Sequence, residues 1–271
     1  MNPRPLTGYL AIVMLALCAV PVPQSKADNL SANEIIAKSD SLDKLPSWGG
    51  QLTIRMFEKG SAEQVRQAKV FNKQNGKGAG MMRLIRFTSP PDISGTSVLI
   101  HEHSHAHDDI WIYLPSLEKV RRLIANDQKD SFVGTDFSYA DILTPKERDY
   151  NYTLEGQDRI DNVNCYKIVA APKTASIEEA TGDSRYVSWI RTDSFLRIQA
   201  RYYDRSGRPY KLMRVDSEEP VNGYPGKWLI TKVEMTNLQS GHSTIMTFSD
   251  IAVGKAYDDL FFAPSRLSRW Q

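Results

Sequence analysis

The chain has 271 residues, with 34 Lys plus Arg against 32 Asp plus Glu and two cysteines. Residues 1–27 hold Arg4 and Lys26 and no acid, so the remainder carries 32 basic and 32 acidic side chains. That balance excludes a general nucleic-acid binder, which needs a basic excess or stripe. Cys165 is the one cysteine after residue 27, which excludes an intramolecular disulfide in that part, so stability must come from a core.

The N-terminus reads as an export signal. Arg4 supplies positive charge, Leu10 to Val20 form an apolar run, and Ser25-Lys26-Ala27 offers small residues for cleavage. The run closes after eleven residues at Pro21 and Pro23, short of the roughly 18 that a membrane span requires. Leu17, preceding Cys18, is too large for a lipid-modification signal. Residues 1–27 are therefore expected to be cleaved, leaving 28–271, about 244 residues, as one large domain.

Ser31-Ala32-Asn33-Glu34 ahead of Ile35, Ile36 and Leu42 predicts a capped amphipathic helix ending before Pro46. The periodicity then shortens. Leu52, Ile54 and Met56 alternate with polar residues, and Met82 to Phe87, Thr96 to Ile100, Ile110 to Leu114 and Val120 to Ile124 are short, β-branched or aromatic. A helical insertion is expected around Phe137 to Leu143. Further strands follow at Tyr150 to Leu154, Cys165 to Ala170, Tyr186 to Arg191, Leu196 to Tyr203, Lys211 to Val215, Leu229 to Met235 and Ser243 to Phe248. Asp204 to Arg208 reads as a hairpin loop with Gly207 at positive φ. Roughly eleven to thirteen antiparallel strands with no βαβ alternation predict an all-β domain whose sheet curls or closes.

Two constellations could carry chemistry. His101, His103, His105 and His107 lie within nine residues that also hold Glu102, Asp108 and Asp109. The H-E-x-x-H match at His101 to His105 would need a helix to act as a zinc-protease site, and it lies between two strands. In an extended chain the four imidazoles would share a face and could capture zinc, copper or nickel; the plainer reading is a polar hairpin tip. The aromatics form the second constellation. Trp111 and Tyr113 alternate with Ile110, Ile112 and Leu114, so this strand is apolar on both faces and each face must be covered, by a helix on one side and a ligand on the other. Cys165, amid Tyr166, Ile168 and Val169, reads as a small core residue. No phosphate loop, nucleophile elbow or paired-cysteine metal knuckle is present.

Segments 85–96 (IRFTSPPDISGT), 109–115 (DIWIYLP), 119–123 (KVRRL) and 134–141 (GTDFSYAD), followed by Tyr202-Tyr203-Asp204, Thr236-Asn237 with Gly241-His242, 248–251 (FSDI) and 258–261 (DDLF), together resemble the outer membrane lipoprotein-sorting protein family, related to the LolA and LolB carriers. The resemblance implies a strongly curved antiparallel half-barrel with a few helices plugging its concave face over an apolar cavity. It further implies a periplasmic, non-enzymatic, cofactor-free carrier of a lipid, a lipoprotein acyl chain or other hydrophobic cargo in a Gram-negative cell. Such a carrier would work in outer-membrane lipoprotein sorting or beside an RND-type (MMPL-like) exporter. Trp111, Tyr113, Phe137, Tyr139 and Trp189 are the expected cavity residues. Where relatives carry an acidic, glycine-containing loop this chain has its histidines, a departure that points to a variable hairpin tip rather than a shared metal function; the alternative reading remains a periplasmic transition-metal-binding protein that uses the His101 to His107 cluster.

Overall fold

The computed structural model describes residues 30–75, 80–104 and 106–269, together with Met1. The expected signal peptide lies outside these residues, as does His105. Helix α1 (Ala32–Ser39) begins at the predicted cap: the Glu34 N–H donates to Ser31 Oγ at 3.3 Å, and the Glu34 carboxylate accepts from the Ser31 N–H at 2.7 Å. This reciprocal box satisfies two of the free amide donors of the first turn, and the helix buries Ile35 and Ile36 completely.

The strands are β1 (Ser47–Phe57), β2 (Gln64–Gln74), β3 (Met81–Ser89), β4 (Ser97–His101), β5 (Asp109–Leu114), β6 (Lys119–Leu123), β7 (Tyr150–Ile160), β8 (Val163–Pro172), β9 (Arg185–Arg191), β10 (Arg197–Tyr203), β11 (Pro209–Pro220), β12 (Trp228–Asn237) and β13 (Ser243–Val253). Two more short helices, α2 (Tyr139–Ile142) and α3 (Ala175–Thr181), fall between strands. All thirteen strands form one open sheet in the order β6-β5-β4-β3-β2-β1-β13-β12-β11-β10-β9-β8-β7. Every pairing is antiparallel. The domain is mainly β, as expected.

This order has a consequence for the middle of the chain. Sequence neighbours pair throughout except at β6 and β7, which are the two opposite edges, while β13 returns to pair with β1. Residues 124–149 must therefore travel from one edge to the other. They do so over one face, where Phe132, Phe137 and Tyr139 join a core with Leu52, Ile54, Val70, Ile85, Ile100, Met235 and Met246. Register shifts at Gly49/Gln51, Gln67/Ala68, Leu154/Gly156 and Arg197/Gln199 bend the sheet around this crossing segment.

The opposite, outer face is covered at β3 to β5 by the C-terminal turns. Phe262 and Leu267 are each 1% exposed and pack on Met82, Leu84 and Leu99. Strands β3 and β4 are thus buried on both sides, which accounts for their nearly continuous apolar sequence.

Two elements escape the sequence reading. Strand β2 buries only Ala68, Val70 and Asn72 on its inward positions, between Gln67, Lys69 and Lys73, so its alternation lacks bulk. The buried Asn72 accepts at Oδ1 from Arg83 Nε at 2.7 Å, while its Nδ2 has no hydrogen-bond partner. Helix α3 is seven residues long, capped by Thr174 and stopped by Gly182 at φ +82°, with no buried residue to mark its period. The predicted hairpin at Asp204 to Arg208 joins β10 to β11 with Gly207 at φ +75°. Cys165 is fully buried.

Candidate functional site: the cavity beneath the crossing segment

Between the inner face of the sheet and the crossing segment lies a cavity of about 270 Å³. Its apolar walls come from Leu52, Val70 and Ile85 on β1 to β3, from Met246 and Phe248 on β13, and from Phe137 and Leu143 above. Its polar fringe includes Asp40, Asp43, Arg83, Asp141, Thr144 and Arg197. A volume near the lower end of the roughly 300–1,000 Å³ of small-molecule sites, apolar with a few convergent polar groups, is what a ligand pocket requires.

Two neighbouring cavities adjoin it. One, of about 470 Å³, is lined by Tyr150, Asp183, Tyr186, Arg197 and Tyr202; the other, of about 540 Å³, by Glu102, His103, Lys146 and Arg148. Thr144 and Pro145 line all three. The short stretch after α2 is therefore the common partition.

Polar contacts hold that partition. Lys211 Nζ meets Asp141 Oδ2 at 2.6 Å, with side chains only 6% and 4% exposed. The Asp141 carboxylate also accepts from the Ser138 N–H at 2.7 Å and from its Oγ at 2.8 Å, closing the N-terminal box of α2. The Arg83 guanidinium donates to the Ile142 carbonyl. Glu102 Oε1 accepts from the Thr144 N–H at 3.1 Å and from its Oγ1 at 3.2 Å. Burial raises the Glu102 carboxyl above its ordinary range, against the pull of Arg83 and the Thr144 amide. Burial likewise pushes Asp183 up to about 7 although Lys211 pulls it down, and the Tyr210 hydroxyl donates to it at 2.7 Å.

The structure separates the five aromatics expected at the site. Phe137 lines the 270 Å³ cavity, and Tyr139 packs edge-on against Phe132 in the same inner core, with ring centroids 5.5 Å apart. Trp111 and Tyr113 are on the other face, against Phe262 and the C-terminal turns. Trp189 is also apart from the cavity, in the cluster of Cys165 and Val187, where its Nε1 donates to Asp158 at 2.9 Å. Period-two alternation sorts residues onto two faces but does not say which is concave. The cover on β5 proves to be the C-terminal turns on one side and the crossing segment on the other, so neither face of that strand needs a ligand.

The three described histidines of the cluster take separate partners. Strand β4 ends at His101, whose Nε2–H donates to the Phe262 carbonyl at 2.8 Å with the ring against Trp111, while Glu102 turns inward to Thr144. His103 Nε2–H donates to Asp109 Oδ2 at 3.0 Å, and His107 borders the 470 Å³ cavity. Among the described residues, no three His, Cys, Asp or Glu side chains converge as metal ligands. The residues missed by the sequence reading are the charged ones. Arg83, Asp141, Arg197 and Lys211 sit in strand or helix patterns that read as solvated faces.

A family model for uncharacterized proteins matches residues 80–269. The chain belongs to that family. Its fold is shared with solved structures whose names carry the resemblance seen in the sequence. One is an outer membrane lipoprotein-sorting protein domain from Vibrio parahaemolyticus, 22% identical with a TM-score of 0.80 over 88% of this chain and 98% of that one. A DUF1329 family protein from Desulfovibrio piger is 27% identical, with a TM-score of 0.79 over 87% and 97%. A LolA superfamily protein from Nitrosomonas europaea is 22% identical, with a TM-score of 0.67 over 86% and 98%. No curated protein matches the chain. The family's architecture is thus the LolA-like open sheet, and in this member the crossing segment 124–149 caps its inner face.

Proposed function

We propose that the protein is a periplasmic carrier that holds the apolar part of a lipid, or of a lipoprotein's acyl chain, in the cavity beneath the crossing segment and makes or breaks no bond. The observation that carries this reading is the apolar, partly open cavity between the inner face and a segment fastened by polar contacts. Burying chain methylenes there supplies about 0.8 kcal/mol each, and the exchangeable cover supplies a route in and out. The names of the lipoprotein-sorting and LolA superfamily structures point the same way. Export by the N-terminal signal and delivery to or from an RND-type (MMPL-like) transporter complete the proposal. Among the described residues no helix is long and apolar enough to cross a membrane.

The test is native mass spectrometry of the exported protein purified without detergent, paired with titration of a fluorescent fatty-acid probe. Copurified lipid masses and saturable probe binding that Phe137→Asp abolishes are expected. A protein that carries no lipid and binds no apolar probe refutes the reading.

A further inference from the structure

Arg197 is the unusual residue in the cavity wall. It opens β10, where the register against β9 shifts between Arg197 and Gln199. Ile198 consequently packs in the outer cluster with Val187 and Trp189, while Arg197 lines both the 270 Å³ and the 470 Å³ cavities. Bulges commonly re-aim a side chain in this way. The side chain is 17% exposed, its ion pair is NH2 to Asp40 Oδ1 at 3.2 Å, and its Nε is buried without a hydrogen-bond partner. The Tyr186 ring lies 6.0 Å from the guanidinium carbon.

A buried guanidinium with an unused donor calls for an explanation, because desolvating it without a partner is costly. Two other charges at these cavities are met by partners: Asp141 by Lys211 and Ser138, and Arg83 by Asn72 and the Ile142 carbonyl. Asp40 engages only the NH2 of this guanidinium and leaves its Nε without a partner, and burial pushes the Asp40 carboxyl up to about 6 against the pull of Arg197.

Resting on the carrier reading, we propose that Arg197 anchors the headgroup of a single-chain amphiphile ending in a carboxylate. Its chain occupies the 270 Å³ cavity, and its headgroup sits at the junction with the 470 Å³ cavity. The planar fork of arginine donors matches a carboxylate in two-point geometry, which an alcohol cannot reproduce. At roughly 30 Å³ per water-sized group, the apolar cavity holds a chain on the order of ten carbons.

The experiment is calorimetric titration of the full exported chain with decanoate, decanol and decylamine at pH 7.5, for wild type, Arg197→Gln and Asp40→Asn. Decanoate is expected to bind about tenfold or more tighter than decanol, the worth of a charged hydrogen bond. Arg197→Gln should erase that preference and leave decanol within about twofold of wild type. Asp40→Asn should tighten decanoate by freeing the guanidinium, and it decides the matter if Arg197→Gln does not fold. Equal wild-type affinities for decanoate and decanol overturn the anchor and leave the carrier standing. A preference for decylamine, or weaker decanoate binding by Asp40→Asn, overturns it as well. If none of the three binds, the carrier reading fails together with the anchor.

Discussion

Replacing Lys211 with Met tests how the crossing segment is held. Met occupies the path of the lysine's aliphatic stem but leaves Asp141, 4% exposed, without its cation. Breaking a buried ion pair from one side costs about 3–5 kcal/mol. Asp141 keeps the Ser138 amide at 2.7 Å and the Ser138 hydroxyl at 2.8 Å, and hydrogen bonds to a charge are worth about 1.5–3 kcal/mol each. The lower end, about 3 kcal/mol, is therefore expected, a large share of the roughly 5–15 kcal/mol available to a folded protein. Adding Asp141→Asn removes the stranded charge, so the double variant should recover about 1–2 kcal/mol of that loss. Urea unfolding of wild type, both single variants and the double variant gives the coupling energy directly. A Lys211→Met cost below about 1 kcal/mol, or a double variant whose cost is the sum of the singles, refutes a buried latch between β11 and α2.

Three further outcomes are expected. Asp183 has a folded-state pKa of about 7 against about 3.9 unfolded, so its contribution to stability is complete below about pH 4 and is lost as pH rises through 7. Asp183→Asn, which still accepts from the Tyr210 hydroxyl, should flatten the stability profile over that window and stabilise the protein at pH 8 by up to about 4 kcal/mol, read from urea midpoints. Gly80→Ala should destabilise strongly, because the residue is at φ +142° and a Cβ there would meet the Glu102 carbonyl oxygen at 1.9 Å; a thermal midpoint equal to wild type would contradict that. Trp111→Ala should lower stability and leave fatty-acid-probe affinity unchanged, whereas Phe137→Ala should cost about 3–5 kcal/mol and alter the affinity as well. Equal effects of both on affinity would contradict the division between the two faces.

The strands were legible where bulk alternates with polarity, as at Leu52, Ile54 and Met56, and the capping box of α1 was legible because Ser31 and Glu34 act within one turn. Strand β2 was not, since its inward positions are Ala68, Val70 and an Asn72 that accepts from Arg83. Of the aromatics expected at the site, Phe137 lines the cavity, whereas Trp111 and Trp189 fall on the outer face because alternation is symmetric between faces. Arg197 was invisible for a related reason: a one-residue register shift, which no local pattern announces, turns it inward.

The crossing segment itself follows from the topology. Once β13 returns to β1, the chain between β6 and β7 has two sheet edges to join, and a path across the inner face buries its apolar side chains in the main core. The residues it presents divide into two kinds. Phe132, Phe137 and Tyr139 are fixed in the core by apolar packing, which is lost only when the core opens. Asp141, Ile142, Thr144 and Lys146 are fixed instead by Lys211, Arg83, Glu102 and Asp108, side-chain contacts that a competing polar group can replace one at a time. Thr144 and Pro145, in this second half, are also the residues shared by all three cavities. Under the proposed carrier function, a ligand with a polar terminus entering here would exchange hydrogen bonds with the partition while its chain gained the apolar cavity, and the apolar packing of the first half would keep the segment anchored to the sheet.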